Sequence, residues 1–155
     1  MPMPGRTRWT RRETLAASAA GAVGLLLVRP SWGTPDALAA AIREFTGGAT
    51  LQRGRVKLDL PPLVENGNSV SVTVRMDSPM TAEDHVRALA LFTEQNPQPN
   101  VAIFHLSPRS GRAIVTTRMR LATSQKVIAL AQHSDGSFWS DQVDVIVTLA
   151  ACVEG

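Results

Sequence analysis

Between Thr50 and Thr148 apolar and polar residues alternate with a period of two, the spacing that sends successive side chains to opposite faces of a pleated strand. The cleanest run sets Val70, Val72, Val74 and Met76 against Ser69, Ser71, Thr73, Arg75 and Asp77, which predicts a half-buried strand. Val56, Leu58 and Leu60 alternate in the same way with Arg55, Lys57 and Asp59. Five further runs, at 86–92, 101–106, 113–119, 126–131 and 142–148, bring the expected strands to seven. The separators are rich in turn formers: Pro61-Pro62, Glu65-Asn66-Gly67-Asn68, Ser78-Pro79, Asn96-Pro97-Gln98-Pro99-Asn100 and Ser134-Asp135-Gly136-Ser137. Residues 85–94 also suit a helix, because Leu and Ala fill both faces of that run.

Ahead of the alternation the period is helical. Leu38, Ile42 and Phe45 recur at i, i+4 and i+7 from Pro35 onward, and Gly47-Gly48 ends the run. The pattern therefore predicts an all-β, antiparallel two-sheet sandwich domain over 34–148 that opens with one short helix.

The chain has 155 residues, enough for one domain with a core of its own. Aromatics make up 5% of it, so Val, Ile, Leu, Ala and Met must supply most of that core. A pI near 10.0 invites a nucleic-acid reading. The charge, however, is concentrated: residues 1–33 hold Arg6, Arg8, Arg11, Arg12 and Arg29 against Glu13 alone. The remainder has 11 basic and 12 acidic residues and no basic block, which argues against a nucleic-acid partner.

Thr10-Arg11-Arg12-Glu13-Thr14-Leu15, followed by an apolar run of 14 residues to Val28, has the form of a twin-arginine export signal over 1–33. The run is shorter than the roughly 20 residues of a spanning helix, so no stable membrane anchor is expected. The expected compartment is the periplasm. Export in the folded state suits a protein with a cofactor or a folded partner; no cofactor motif is visible, which favours a partner.

Candidate chemistry is sparse. His85, His105 and His133 show no spacing for a metal site, Glu83-Asp84 reads as a solvated cap, and no nucleophile-elbow, phosphate-binding or dinucleotide-binding loop occurs. No catalytic residue, metal or cofactor is expected. Cys152 remains. In an oxidising compartment a single cysteine has no internal disulfide partner, and a position near the end of the chain weakens the usual expectation of a buried thiol. Extended from Thr148, the chain would carry this thiol about 13 Å, far enough to enter another protein's cleft. Glu154 nearby disfavours the reactive thiolate, so a partner's positive group would activate it.

Taken together, several segments resemble the SoxY family, the sulfur-carrier subunit of the periplasmic thiosulfate-oxidising system. They are Ile42-Arg43-Glu44-Phe45-Thr46-Gly47-Gly48-Ala49, Asp59-Leu60-Pro61 with Glu65-Asn66-Gly67-Asn68, Asp77-Ser78-Pro79-Met80-Thr81, Asn96-Pro97 with Pro99, Phe104-His105, Thr117-Arg118-Met119-Arg120-Leu121-Ala122 and Ser134-Asp135-Gly136-Ser137-Phe138-Trp139. The resemblance implies an immunoglobulin-like sandwich, pairing with a SoxZ-like all-β subunit, and a flexible C-terminal arm, here 149–155, with Cys152 as the covalent sulfur acceptor. It implies a cytochrome, a sulfate-releasing hydrolase and a sulfur dehydrogenase as transient partners, and a carrier that is not itself an enzyme. The family's arm reads Gly-Gly-Cys-Gly-Gly. Here Ala150, Ala151, Val153 and Glu154 replace the glycines and Gly155 follows, which leaves a divergent, non-carrying binding subunit as the alternative.

Overall fold

The structure, a computed structural model, describes residues 32–151. The expected export signal with Arg11 and Arg12, and Cys152, Val153, Glu154 and Gly155, lie outside the described residues.

Helix α1 spans Pro35–Thr46. Thr34 caps it by accepting the Ala37 N–H at 3.1 Å, Pro35 occupies the first turn where its missing N–H is harmless, and Gly47 closes it at φ 63°. Its apolar side, formed by Leu38, Ala41, Ile42 and Phe45, lies on Ala90, Phe92 and Leu130. Phe45 meets Phe92 and Phe138 edge to face, with centroids 6.0 and 5.8 Å apart.

Among the described residues nine strands follow: β1 Leu51–Arg53, β2 Val56–Asp59, β3 Leu63–Asn66, β4 Val70–Met76, β5 Val86–Thr93, β6 Asn100–His105, β7 Ile114–Met119, β8 Gln125–His133 and β9 Phe138–Leu149. The larger sheet runs β1-β9-β8-β5-β6, with β3 also paired to β9, and the smaller runs β2-β4-β7. Val56, Leu58, Val72, Val74 and Met76 from the small sheet meet Leu89, Leu91, Val127, Ala129 and Val145 from the large one in a single inter-sheet core. The molecule is thus an all-β sandwich with the helix on the outer face of its larger sheet.

That layering resolves the ambiguity at 85–94. β5 is covered on both faces, by the small sheet over Leu89 and Leu91 and by α1 over Ala90 and Phe92, so a strand here needs no polar side. The seven expected strands become nine because β1 and β3 show no alternation: β1 has one half-buried residue beside two exposed ones, and in β3 only Val64 is buried. Both pair in parallel with β9, so the sandwich is not purely antiparallel. β9 is also longer than the expected 142–148, running from Phe138 to Leu149. Its early polar positions face the solvent side of the sheet or bond to neighbours. Ser140 Oγ donates to the Gln52 carbonyl at 3.2 Å, and Asp141 Oδ2 accepts the Leu58 N–H at 2.9 Å, which satisfies a donor on the edge strand β2.

The β8–β9 turn encloses the buried His133. Its Nε2 lies 2.7 Å from Asp84 Oδ1; its Nδ1 lies 3.2 Å from Asp135 Oδ1 without the alignment of a hydrogen bond. Asp84 is therefore not a purely solvated cap, since it faces a buried imidazole brought close by β8. The Ser137 hydroxyl and amide, the latter donating at 2.8 Å, hold the Asp135 carboxyl down from 3.8 to about 2, with His133 adding to the effect. A lowered folded pKa gives stability that is present above the ordinary carboxylate range and is lost as pH falls toward the folded value. With Asp135 58% exposed, the effect on stability is small and the titration itself is the better readout. In Ser137→Ala the Asp135 midpoint should move up toward its ordinary value, as followed by carboxyl carbon NMR; an unmoved midpoint would contradict the assignment to Ser137.

Candidate functional site

The thiol singled out by the sequence follows Ala151 directly, so the root of the C-terminal segment is the part of the site that the described residues contain. Three backbone hydrogen bonds build it from three distant segments. Gly67 N–H donates to the Leu149 carbonyl at 2.8 Å, Leu121 N–H donates to the Gly67 carbonyl at 2.9 Å, and Ala151 N–H donates to the Leu121 carbonyl at 3.1 Å. The parallel pairing of β3 with β9, in register from Leu63↔Ile146 to Asn66↔Leu149, delivers Gly67 to this point. Thr148 Oγ1 donates to the Glu65 carbonyl at 3.0 Å and reinforces the same pairing.

Gly67 is required by space and not by backbone conformation. A Cβ there would sit 2.4 Å from the Leu121 carbonyl oxygen, 3.0 Å from the Ala151 nitrogen and 3.1 Å from Val147 Cγ1. Its φ is not among the positive values of the chain, which occur at Gly47, Gly48, Gly54, Gly111, Gly136 and Met80 among the described residues. The turn is closed by Asn66, whose Oδ1 accepts the Asn68 N–H at 2.9 Å.

Leu121, fully buried, is held in turn by a side-chain amide network. Asn96 Nδ2 donates to the Arg120 carbonyl at 2.9 Å, and Asn96 Oδ1 accepts the Ala122 N–H at 3.0 Å. Gln125 Nε2 donates to Asn96 Oδ1 at 2.8 Å and to the Thr123 carbonyl at 3.2 Å, while its Oε1 accepts the Gln95 and Asn96 N–H groups at 2.8 and 3.2 Å. The buried Gln125 amide thus uses both donors and its acceptor, the condition under which a polar network stiffens its surroundings.

The expected departure of the arm from the body at Thr148 moves toward the end of the chain. Leu149 still belongs to β9, Ala150 is exposed, and Ala151 is 6% exposed and hydrogen-bonded. Leu63 and Ile146, register partners 58 and 61% exposed, share one face of the β3–β9 pair, while Leu149, 60% exposed and three positions beyond Ile146, belongs to the other. The histidines are not brought together as a site: His133 is enclosed by Asp84 and Asp135, while His105 lines a cavity of about 320 Å³ with Glu44, Asn100 and Gln132 beside α1. Among the described residues no group of three or more His, Cys, Asp or Glu is placed to hold a metal ion.

Sequence reasoning assigns Gly67 to a turn and does not find its part in the root. The Asn66-Gly67 pair signals the turn, but the contacts that exclude a side chain come from Leu121 and Ala151, which no local pattern reveals.

The family model of the sulfur oxidation protein SoxY matches residues 42–152. Among curated proteins there is no sequence match. Solved structures of similar fold include a superoxide reductase (neelaredoxin) from Ignicoccus hospitalis, at TM-score 0.55 and 18% identity over 61% of this chain and 80% of that one. A putative superoxide reductase from Thermotoga maritima gives 0.54 and 20% over 63% and 93%. The superoxide reductase from Nanoarchaeum equitans gives 0.52 and 10% over 62% and 100%. At these identities the likeness is one of fold alone.

Proposed function

This chain belongs to the SoxY family of sulfur oxidation proteins, and from that premise we propose that it is a non-enzymatic sulfur carrier with Cys152 as its covalent acceptor. In the proposed cycle the Cys152 thiolate and thiosulfate form a sulfur–sulfur bond as two electrons pass to a c-type cytochrome partner. A hydrolase partner then adds water across the terminal sulfur–sulfonate bond, which releases sulfate and two protons and leaves a cysteine persulfide. A sulfur dehydrogenase partner then oxidises the outer sulfur of the persulfide to the sulfonate level, water supplying three oxygens and the dehydrogenase's own electron acceptor taking six electrons. A second hydrolysis releases it as sulfate with two protons and returns the Cys152 thiolate. In this reading the carrier contributes no acid, base or metal to these steps; it contributes the Cys152 thiol, one residue beyond the hydrogen-bonded Ala151.

The observation that carries this reading is that the family match runs through Cys152, its last matched residue. The root geometry supports it. Ala151, the residue before Cys152, is tied to Leu121, and Leu63 and Ile146 offer a partner apolar surface on the β3–β9 pair. The same exposed surface supports pairing with a SoxZ-like subunit. The twin-arginine pattern at Arg11 and Arg12 supports a periplasmic location for a chain that starts near Thr34; among the described residues no helix is long and apolar enough to cross a membrane.

The altered arm favours one rival, a subunit that keeps the fold and has ceased to carry sulfur. Ala150, Ala151, Val153 and Glu154 stand where the family has glycines; alanine and the β-branched valine restrict a backbone that glycine leaves free, and Glu154 adds charge near an anionic substrate. Alkylation separates the two readings. A carrier thiol should react with iodoacetamide in the folded chain at a rate within about tenfold of the denatured chain. Modification only after denaturation would mark Cys152 as structural and support the rival.

A further inference from the structure

The outer face of the small sheet holds more positive charge than its neighbours compensate. The alternation that turns Val56, Leu58, Val74 and Met76 into the core turns Lys57 and Arg75 outward, and the two stand directly opposite each other across β2 and β4. Like charges in that relation destabilise a sheet, so the fold alone gives no reason for them. Arg55 and Arg112 flank the pair. Arg55, Lys57, Arg75 and Asp77 line a surface depression of about 180 Å³, and Asp77, Arg112 and Ile114 contribute to a neighbouring one of about 290 Å³.

All four cations are exposed. Among the described residues none of them has a carboxylate within 4.0 Å, the ion pairs there being those of His133. Arg55 is oriented by the Trp139 ring, 5.3 Å below its guanidinium carbon. Residues 32–151 contain 11 basic and 11 acidic residues, so a corner with four cations and Asp77 carries a net +3 while the rest of that body carries −3.

We infer that this corner is a docking surface for a partner protein that presents a carboxylate-rich face. The charges spread over β2, β4 and the segments leading into β2 and β7, in a sheet whose strands are about 4.8 Å apart, wider than one small oxyanion spans. Ile114, 48% exposed and directly opposite Arg75 on the flanking strand β7, adds an exposed apolar side chain to the patch, and protein interfaces combine such side chains with arginine. Complementary charge speeds encounter and fixes register, and arginine is enriched at such contacts. The corner also lies away from the C-terminal root. Gly67 and Leu121 adjoin the Val70↔Met119 end of β4 and β7, and the patch adjoins the other end, roughly 20 Å away at about 3.3 Å per residue. A partner seated here leaves the C-terminal segment available to a second protein.

The test uses the full chain and two probes, a short polyglutamate peptide and sulfate, each titrated at matched ionic strength while backbone amide shifts are recorded. The peptide should give saturable shifts at Lys57, Arg75, Arg112 and Ile114. Lys57→Glu should weaken peptide binding about tenfold or more. The same substitution turns the like-charged pair with Arg75 into an opposite pair, so thermal stability should hold or rise, and a loss of binding is then not a loss of fold. Unchanged affinity in the variant would overturn the inference. So would sulfate saturating the same residues at the same concentrations, or peptide shifts spread equally over Arg43, Arg109, Arg118 and Lys126.

Discussion

Gly67→Ala should lower the stability of the fold by roughly 1–3 kcal/mol and free the Ala151 amide to exchange with solvent. The added methyl would meet a backbone carbonyl at 2.4 Å and a backbone nitrogen at 3.0 Å, and neither can turn aside as the tip of a flexible side chain could. Something must shift, and the movable participant is the one nearest the chain end, since Leu121 is fixed by the Asn96–Gln125 network while Ala151 is held by one hydrogen bond of 3.1 Å. Gly136→Ala is the matched control. That glycine has φ 86° and a methyl added to it would meet nothing within 4 Å beyond its chain neighbours, so alanine there brings backbone strain in the β8–β9 turn and nothing at the root. Hydrogen exchange should therefore quicken at Ala151 in the Gly67 variant and stay slow in the Gly136 variant. Equal protection of Ala151 in both would show that the root does not depend on Gly67.

The parts of this architecture that are legible in the sequence are those governed by local period. The Val70, Val72, Val74, Met76 alternation marks β4 directly, and Leu38, Ile42 and Phe45 mark the buried side of α1. β1 and β3 are not legible because Leu51-Gln52-Arg53 and Leu63-Val64-Glu65-Asn66 show no apolar–polar alternation, and their partner, β9, is remote in sequence. The same remoteness conceals the root. Asn66-Gly67 announces a turn, but the reason for glycine there is Leu121 and Ala151 arriving from other elements. Asp84 reads as a cap because its sequence neighbours are polar, while the buried imidazole it faces comes from β8. Cys152 is legible as a candidate by elimination and by resemblance, both properties of the sequence. Lys57 and Arg75 look like ordinary solvent-facing residues of two strands until their register sets them side by side.

The carrier role makes the second large prediction: Cys152→Ser should abolish sulfur loading and leave the fold intact. The substitution removes the only cysteine in the chain, and with it the only thiol that could hold sulfur as a reducible adduct. The fold should be indifferent, because among the described residues the inter-sheet core lies between Val56 and Val145 and the root is made of backbone hydrogen bonds. The decisive measurement is the intact mass of the chain purified from thiosulfate-fed cells that contain the family's partner enzymes, before and after reductant, for the native protein and for Cys152→Ser. A reductant-labile mass increment on the native chain, absent from a folded Cys152→Ser chain, is the predicted result. A native chain that carries no labile sulfur under these conditions, or an increment that survives the substitution, would contradict the assignment of Cys152 as the carrier.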